Sequence, residues 1–263
     1  MTSTGAVQPL FSLTDEQVAV LAGTGDGAVA MPHLEALGEQ ERAVAVHTAY
    51  RCLLASGLVT LPAADRADAG VPAAPEEDGA GVAVELPAEV DAVLVLREAA
   101  PVLLLVQRTA GEEEVLRYGY LADDVVLWED VLPSGLHRFG RVGRDELGDC
   151  VQQFLVPDEA TMADRSLTVD PAAGVDGAGE VESVLARAVV HADLTVRHAG
   201  DDGPGDLLGM FLGAEGSWVS CQRFGAGGPV TFDPLDPGTV QERVLRLVTA
   251  AERAVEGVVD GGA

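Results

Sequence analysis

The sequence predicts an α+β fold in which two helix–β-meander–helix units share a mixed or antiparallel sheet with pseudo-two-fold symmetry, preceded by N-terminal helices. Three observations support this prediction. Apolar residues recur at helical spacing near the N-terminus and in later segments, and short apolar runs bounded by turn residues lie between those segments. The second half of the chain also repeats the pattern of the first. Two such units would join their strands in one sheet, with helices on its faces or ends.

Residues 1–62 form the predicted N-terminal helical segment. Thr14 followed by Gln17 is a capping-box pattern, and it begins a helix that ends near Gly23. A second helix is predicted from about Gly38 to Ser56, because apolar residues recur there at helical spacing.

Two Pro- and Gly-rich loops, 63–87 and 156–178, separate the remaining segments. Repeat unit 1 is predicted at 88–155 and repeat unit 2 at 179–256, followed by a frayed tail at 257–263. Long loops of this composition are uncommon within a compact domain, so they indicate where one part ends and the next begins. Together the parts are predicted to form one compact domain.

The chain matches itself at an offset of 91 residues. Glu89-Val-Asp-Ala-Val-Leu94 then lies on Glu180-Val-Glu-Ser-Val-Leu185, and a two-residue adjustment in one turn keeps the later apolar positions matched. The matched pairs are Leu103 with Leu194, Leu116 with Leu207, Tyr120 with Phe211, Leu121 with Leu212, Phe139 with Phe232, Val142 with Leu235, Leu147 with Val240, Val151 with Val244 and Phe154 with Leu247. Agreement in element order, spacing and register favours a true duplication over a chance match.

Each repeat unit is predicted to contain a helix, about four strands and a closing helix. The segments of unit 1 are Glu89–Ala99, Val102–Arg108, Val115–Leu121, Val125–Val131, Leu136–Val142 and Asp145–Leu155. Those of unit 2 are Glu180–Val190, Leu194–His198, Leu207–Leu212, Trp218–Phe224, Pro229–Phe232 and Thr239–Val255. Thr239 is the predicted N-cap of the last helix, and Leu167–Val169 is a candidate short strand.

Composition limits the classes of function. The 263 residues carry 43 Asp and Glu against 16 Arg and no Lys, a formal net charge of −27. Without lysine there is no Schiff-base, P-loop or kinase-type lysine, and so acidic a chain is a poor nucleic-acid binder. No segment reaches the roughly 18 apolar residues of a membrane span, and the first residues lack signal-peptide features. We therefore expect a cytoplasmic protein without membrane insertion.

The spacing of Cys52, Cys150 and Cys221 predicts reduced, buried thiols.

No group of residues indicates catalysis, a metal site or a cofactor site. His191, Asp193 and His198 lie close together, but a continuous strand would direct the two histidines to opposite faces. An acidic hairpin is therefore favoured there over a metal site. Asp123-Asp124 and Glu112–Glu114 are favoured as solvated carboxylates over an acid–base pair. The sequence predicts a protein that is not an enzyme.

Two patterns leave alternatives open. Arg138, Arg141 and Arg144 form the one local basic cluster, which suits ion pairs with the acidic surface or contact with an anionic peptide. A helix ending in Leu54-Ala-Ser-Gly-Leu58 also occurs in winged-helix domains. The alternative function is accordingly a regulatory protein with a winged-helix-like N-terminal segment and an α+β sensory region. It requires a basic recognition helix, which the sequence does not display.

Aromatic residues make up only 4% of the chain, so their positions are informative. Trp128 and Trp218 fall in the third strand of their units, one register position apart. The candidate protein-contact residues are Trp218, Phe224 and Phe211, because Trp218 and Phe224 share strand parity and would form an apolar patch on a sheet face. Core packing is the favoured alternative for the tryptophans.

These features resemble the EspG family of type VII (ESX) secretion-associated proteins of actinobacteria. The resemblance lies in the leader Leu13-Thr-Asp-Glu-Gln17, in Pro32 and Leu34, in Glu41-Arg42, in the helix ending Leu54–Leu58, in the duplicated core and in the closing segment Trp218–Leu247. It implies a cytosolic chaperone with a quasi-two-fold mixed sheet flanked by helical bundles. Such a protein holds the apolar tip of a PE–PPE pair before export. The implied partner is an exported substrate, PE–PPE-like or another ESX substrate, and a homodimer stays open.

Overall fold

The computed structural model describes residues 7–22, 29–60, 85–170, 175–198, 206–223 and 228–260. The contacts divide the chain into two units. We call the first the sheet unit; it consists of Met1–Phe11, Ala100–Asp130 and Arg138–Ala263. The second, which we call the helical unit, consists of Ser12–Ala99 and Val131–His137.

The described residues form ten strands and seven helices. The strands are β1 (Gln8–Thr14), β2 (Val102–Ala110), β3 (Glu113–Ala122), β4 (Val125–Val131), β5 (Leu136–Gly143), β6 (Leu167–Val169), β7 (Val190–His198), β8 (Asp206–Leu212), β9 (Trp218–Arg223) and β10 (Val230–Pro234). The helices are α1 (Asp15–Ala22), α2 (Pro32–Ala36), α3 (Glu39–Ser56), α4 (Ala88–Ala99), α5 (Leu147–Leu155), α6 (Val175–Leu185) and α7 (Val240–Asp260). Short 3₁₀ turns at Arg144–Glu146 and Pro237–Thr239 precede α5 and α7. None of the described helices combines the length and the apolar character needed to cross a bilayer.

One ten-stranded sheet contains all of these strands, in the order β1-β5-β4-β3-β2-β7-β8-β9-β10-β6. β2 and β7 pair antiparallel at its centre, from Val102 opposite His198 to Thr109 opposite His191. Their hairpin partners β3 and β8 are also antiparallel to them. The predicted α+β class, with a large antiparallel sheet, is therefore confirmed.

One face of the sheet, which we call the core face, packs against α5 and α7. Leu104, Leu194 and Met210 are fully buried there, together with Leu147 of α5 and Val244 of α7. Burying an aliphatic side chain of this size contributes roughly 1.5–3 kcal/mol. This cluster is the main apolar core of the sheet unit.

The opposite face of the sheet, the outer face, carries a second and smaller cluster. Leu167 of β6, Trp218 of β9 and Phe232 of β10 are buried there with Val181 of α6. The residues facing outward on β2 and β7 are less buried than their neighbours, because Leu103 and Thr195 alternate with the core residues on those strands.

The N-terminal helices begin and end as predicted. Thr14 and Gln17 form the capping box: the Thr14 N–H donates to Gln17 Oε1 at 3.0 Å, and the Gln17 N–H donates to Thr14 Oγ1 at 3.4 Å. α3 ends at Ser56, where Gly57 takes a left-handed φ of 75° that glycine adopts without steric cost. Of the predicted loop at 63–87, residues 63–84 lie outside the described residues.

Two elements of the N-terminal part were not predicted from the sequence. β1 contains Pro9, and proline weakens a strand pattern because it has no N–H to donate; at the edge of a sheet it is tolerated. α2 has five residues, which is too short for a helical period to be visible.

The boundary between α6 and β7 differs from the prediction. α6 ends at Leu185 and β7 begins at Val190, whereas the helix was expected to reach Val190. The N–H groups of Arg187 and Ala188 donate to carbonyls three residues back, and the Val189 N–H then donates to Leu212 O across the sheet. The chain therefore tightens into a turn and joins the sheet about four residues earlier than expected.

The start of α7 also requires a correction. Asp236, and not Thr239, accepts from the first turn: its Oδ1 accepts from the Gly238 N–H at 3.0 Å. The Thr239 hydroxyl instead donates to Asp236 O at 2.8 Å. The sequence Asp-Pro-Gly-Thr thus forms a 3₁₀ turn before the α-helix, and this turn shifts the cap by one turn.

The offset of 91 residues does not hold in the first strand of the predicted repeats. Leu103 lies on the outer face, whereas its expected match Leu194 is buried on the core face. Val102 pairs with Leu121 and Val190 pairs with Leu212, so an alignment that keeps these pairs together needs an offset of 88 residues for the first strands and 91 for the second. The connection from β7 to β8 is longer than the connection from β2 to β3. A single offset therefore cannot align both the strands before these connections and the strands after them.

The three cysteines are free, as predicted, but they differ in burial. Cys150 on α5 is buried, and burial raises the pKa of its thiol. Cys52 and Cys221 are exposed, contrary to the prediction. Cys52 lies outside the buried stripe that Ala49 and Leu53 form on α3, and hydrophobic character alone did not distinguish the two cases.

Replacing Leu194 with alanine is expected to destabilise the fold by about 2–5 kcal/mol, because it removes a fully buried side chain from the core face. The matched control is Thr195→Ala, the next residue of β7 on the outer face, with an expected loss below about 1 kcal/mol. Urea unfolding followed by circular dichroism measures both. Equal losses would contradict the assignment of the two faces.

Candidate functional site

Of the three predicted protein-contact residues, the structure describes Trp218 and Phe211, and these two differ in burial. Trp218 is buried, with 5% of its surface exposed, and its indole N–H donates to Arg165 O at 3.1 Å. Phe211 is half-buried on the outer face. Phe224 lies outside the described residues. The burial of Trp218 agrees with the core-packing alternative.

Phe211 connects an aromatic patch on the outer face, which we define as His191, Phe211, Trp218 and Phe232. In the sheet register, Phe211 lies opposite His191 on one side and Trp218 on the other. The His191 and Phe211 rings stack with centroids 4.5 Å apart, and Phe211 meets Phe232 edge to face at 5.6 Å. Such arrangements add about 0.5–1.5 kcal/mol per aromatic pair beyond the area that they bury.

His191 also contacts a carboxylate. Its Nε2 lies 3.5 Å from Asp193 Oδ1 on the same face. The hydrogen bond to Asp193 and the charge of that residue raise the pKa of His191, although burial acts in the opposite direction. The Asp193 carboxylate therefore stabilises the protonated form of the ring, and protonation competes with metal binding at this histidine.

His191 and His198, the two histidines considered for a metal site, lie on opposite faces of β7. β7 runs without a break from Val190 to His198, and His198 pairs with Val102 on the core face, whereas His191 lies on the outer face. Among the described residues, no three His, Cys, Asp or Glu side chains lie close enough to hold a metal ion. The neighbouring acidic stretch, Asp201–Gly205, lies outside those residues.

A cleft of about 320 Å³ lies beside the aromatic patch. Leu167, Val184 and Trp218 give it apolar walls. Arg187 and Glu215 line it as well, and they form an exposed ion pair of 2.9 Å. The cleft thus combines apolar walls with an exposed ion pair at its edge.

The acidic and basic clusters singled out in the sequence lie at the surface of the sheet unit. Asp123, Asp124 and Glu112–Glu114 are exposed in turns or at strand ends. Arg144 pairs with Glu252 of α7 at 2.5 Å, and Arg141 donates to the Gln8 side chain at 2.8 Å. This agrees with solvated carboxylates and, for Arg144, with an ion pair to the acidic surface.

The winged-helix alternative depends on a part of the chain that is not described. A recognition helix would follow α3, but the residues from 61 to 84 lie outside the described residues. Arg42 on α3 is engaged within the helical unit, where its Nε donates to Leu34 O at 3.1 Å. The alternative therefore stays a prediction.

A buried carboxylate in the helical unit was missed by the sequence analysis. Asp15 and His137 are both fully buried, with Asp15 Oδ1 2.7 Å from His137 Nε2. The other oxygen, Oδ2, accepts from the N–H groups of His33 at 2.7 Å and Leu34 at 3.0 Å. Asp15 thereby joins the start of α1 to the start of α2 and to the start of β5.

The donors around Asp15 determine its charge state. Burial alone would raise the pKa of Asp15, but the hydrogen bond and charge of His137 and the two backbone N–H groups outweigh it, and the pKa is lowered. Glycine is required beside it at position 135, where φ is 72° and a Cβ would lie 2.5 Å from His33 Cβ. Because both side chains are fully enclosed, the pair holds the helical unit together and offers no surface to a substrate.

No sequence signal pointed to this pair, because 122 residues separate its members. The local pattern around Asp15 indicates a helix start and nothing more. Its carboxylate in fact accepts hydrogen bonds from a different helix, α2, which the sequence did not predict.

Replacing Asp15 with asparagine is expected to cost about 3–5 kcal/mol of unfolding free energy at pH 7, because it leaves buried donors without a charged acceptor. A lowered folded-state pKa stabilises the protein above the unfolded value of 3.8, and this contribution is lost as the pH falls through the folded value. The difference between the wild type and Asp15→Asn should therefore shrink below about pH 4. Denaturant titrations at several pH values measure it.

The control is Glu16→Gln, which changes the adjacent carboxylate. Glu16 lies 3.3 Å from His33 and is partly exposed, so its loss should cost below about 1 kcal/mol. A difference between the wild type and Asp15→Asn that stays constant down to pH 2.5 would contradict the role of the Asp15 charge.

The geometry above is the basis for any functional assignment. A comparison with protein-family models and one with curated proteins find no match to this chain. The function is therefore argued from the strand order, the burial of the faces and the charge.

Proposed function

We propose that this chain is a cytoplasmic, non-enzymatic secretion chaperone or adaptor that binds and masks an apolar end of a type VII secretion substrate of the PE–PPE kind. The observation that supports this most is the strand order. Two four-stranded groups, β5-β4-β3-β2 and β7-β8-β9-β10, run outward from the central β2–β7 pair. A sheet of two matching halves with flanking helices is what the resemblance to the EspG family implies.

We further infer that the two halves are repeats, related by a pseudo-two-fold axis between β2 and β7. In chain order, each half is preceded by a helix, α4 or α6, and followed by another, α5 or α7. At the offset of 93 residues that follows the two-residue adjustment, matched residues of the closing segments lie in or against the same core. These pairs are Val142 with Leu235, Leu147 with Val240, Val151 with Val244 and Phe154 with Leu247.

The outer face near the sheet centre is the candidate contact area for the partner. Leu103 and Leu105 of β2 and Leu207 of β8 are half-buried there, on either side of Thr195. A partly exposed apolar area of this kind suits a partner with an apolar end. The net charge of −27 keeps such a surface in solution and repels nucleic acid and anionic membranes.

Co-expression with a PE–PPE pair encoded in the same genome tests the proposal. Size-exclusion chromatography with light scattering is expected to show one stable complex of the three chains. Replacing Leu105 with glutamate should weaken binding at least about tenfold, or 1.4 kcal/mol, because it places a charge in the contact area. Titration calorimetry measures the dissociation constants.

Val44→Glu is the matched control for binding, since Val44 is 62% exposed on α3, outside the contact area. It should bind as the wild type does. Absence of a complex with every PE–PPE pair of that genome would overturn the proposal. Salt-dependent binding to duplex DNA would instead support the regulatory alternative.

A further inference from the structure

Among the side chains of α6 that the structure describes, three pack against the cluster that contains the aromatic patch. Val181 is buried with 6% exposure, and Val184 and Leu185 are partly buried against the same cluster. These three side chains follow i, i+3, i+4 spacing and so form one narrow apolar stripe. On α5, four side chains, Leu147, Cys150, Val151 and Leu155, are buried in the main core.

The sequence of α6 is also unfavourable for a helix. Gly177 and Gly179 lie inside its eleven residues, Val-Asp-Gly-Ala-Gly-Glu-Val-Glu-Ser-Val-Leu. Each glycine makes the helix about 1 kcal/mol less favourable than alanine would, and a helix of this length is marginal without tertiary contacts. No packing requires glycine at 179, because a Cβ there would meet nothing within 4 Å.

The surface beneath α6 requires a cover. Trp218 and Phe232 are 5% and 8% exposed, and Phe211 packs on them. Aromatic side chains of this kind bury about 150–250 Å² each, so a bare outer face at this position would be strongly apolar. A weak helix over a strongly apolar surface is exchanged readily when another apolar helix is offered in its place.

We propose that α6 is a displaceable cover of the aromatic patch, and that a protein partner inserts an amphipathic helix with the same i, i+3, i+4 aliphatic stripe in its place. The aliphatic side chains of Val181, Val184 and Leu185 show which kind of helix fits this surface. The opening of α6 is a property of this chain alone. The identification of the partner with an exported substrate rests on the proposed function.

Hydrogen exchange of the wild-type protein measures the opening without any partner. Amides of residues 180–185 should exchange about 100-fold or more faster than those of Val151–Leu155 in α5, because local opening exposes the first set and not the second. Gly179→Ala should slow exchange in α6 by about fivefold and leave α5 unchanged. Equal protection of α6 and α5 in the wild type would overturn the proposal.

A peptide supplied in trans tests the occupant. The probe is a labelled peptide of residues 175–189 with Gly179→Ala, and the target is the full chain carrying Val181→Asp, whose own cover is weakened. Fluorescence anisotropy should show binding at least about tenfold tighter than to the wild type, by competition with the attached helix. The control peptide carries Val181→Asp and should not bind.

Peptide binding that is equal for the wild type and the variant would contradict displacement, and the exchange measurement decides the matter if the variant does not fold. The two proposals fail separately. Fast exchange of α6 without a PE–PPE complex overturns the proposed function alone, whereas a PE–PPE complex with a fully protected α6 overturns the cover alone.

Discussion

The antiparallel pairing of β2 with β7 is the constraint on which the sheet depends. It places Val106 opposite Leu194 and Leu104 opposite Val196, so both strands present their apolar residues to the same side. A slip of one residue would turn every side chain of one strand to the other face. The two hairpins carry the same alternation outward, and helices α5 and α7 then cover one continuous apolar surface.

The class of fold and most strands could be predicted, because short apolar runs such as Val102–Val106, bounded by turn residues, are local properties of the chain. Other features depend on contacts between distant residues. Asp15 forms its buried pair with His137, which is 122 residues away in the sequence. α6 ends early because the Val189 N–H donates to Leu212 O on a neighbouring strand. For the candidate site, the sequence identified Trp218 and Phe211, but it could not show that a helix covers them.

Trp128 and Trp218 show that a difference of one register position determines which face of the sheet a side chain occupies. Trp128 lies on the core face, where its ring packs so closely over Gly119 that a Cβ there would be 2.6 Å away, and the Arg117 guanidinium stacks nearby. Trp218, one position away in the predicted repeat, lies on the outer face instead. The two tryptophans therefore belong to different apolar clusters, one on each face of the sheet.

The edges of the sheet have a consequence for how this protein behaves at high concentration. One edge strand, β1, contains Pro9, and the other, β6, has three residues. Exposed N–H and C=O groups of long edge strands are templates for strand-by-strand polymerisation, and a proline or a very short strand interrupts that template. The sheet therefore resists growth into fibres at both ends.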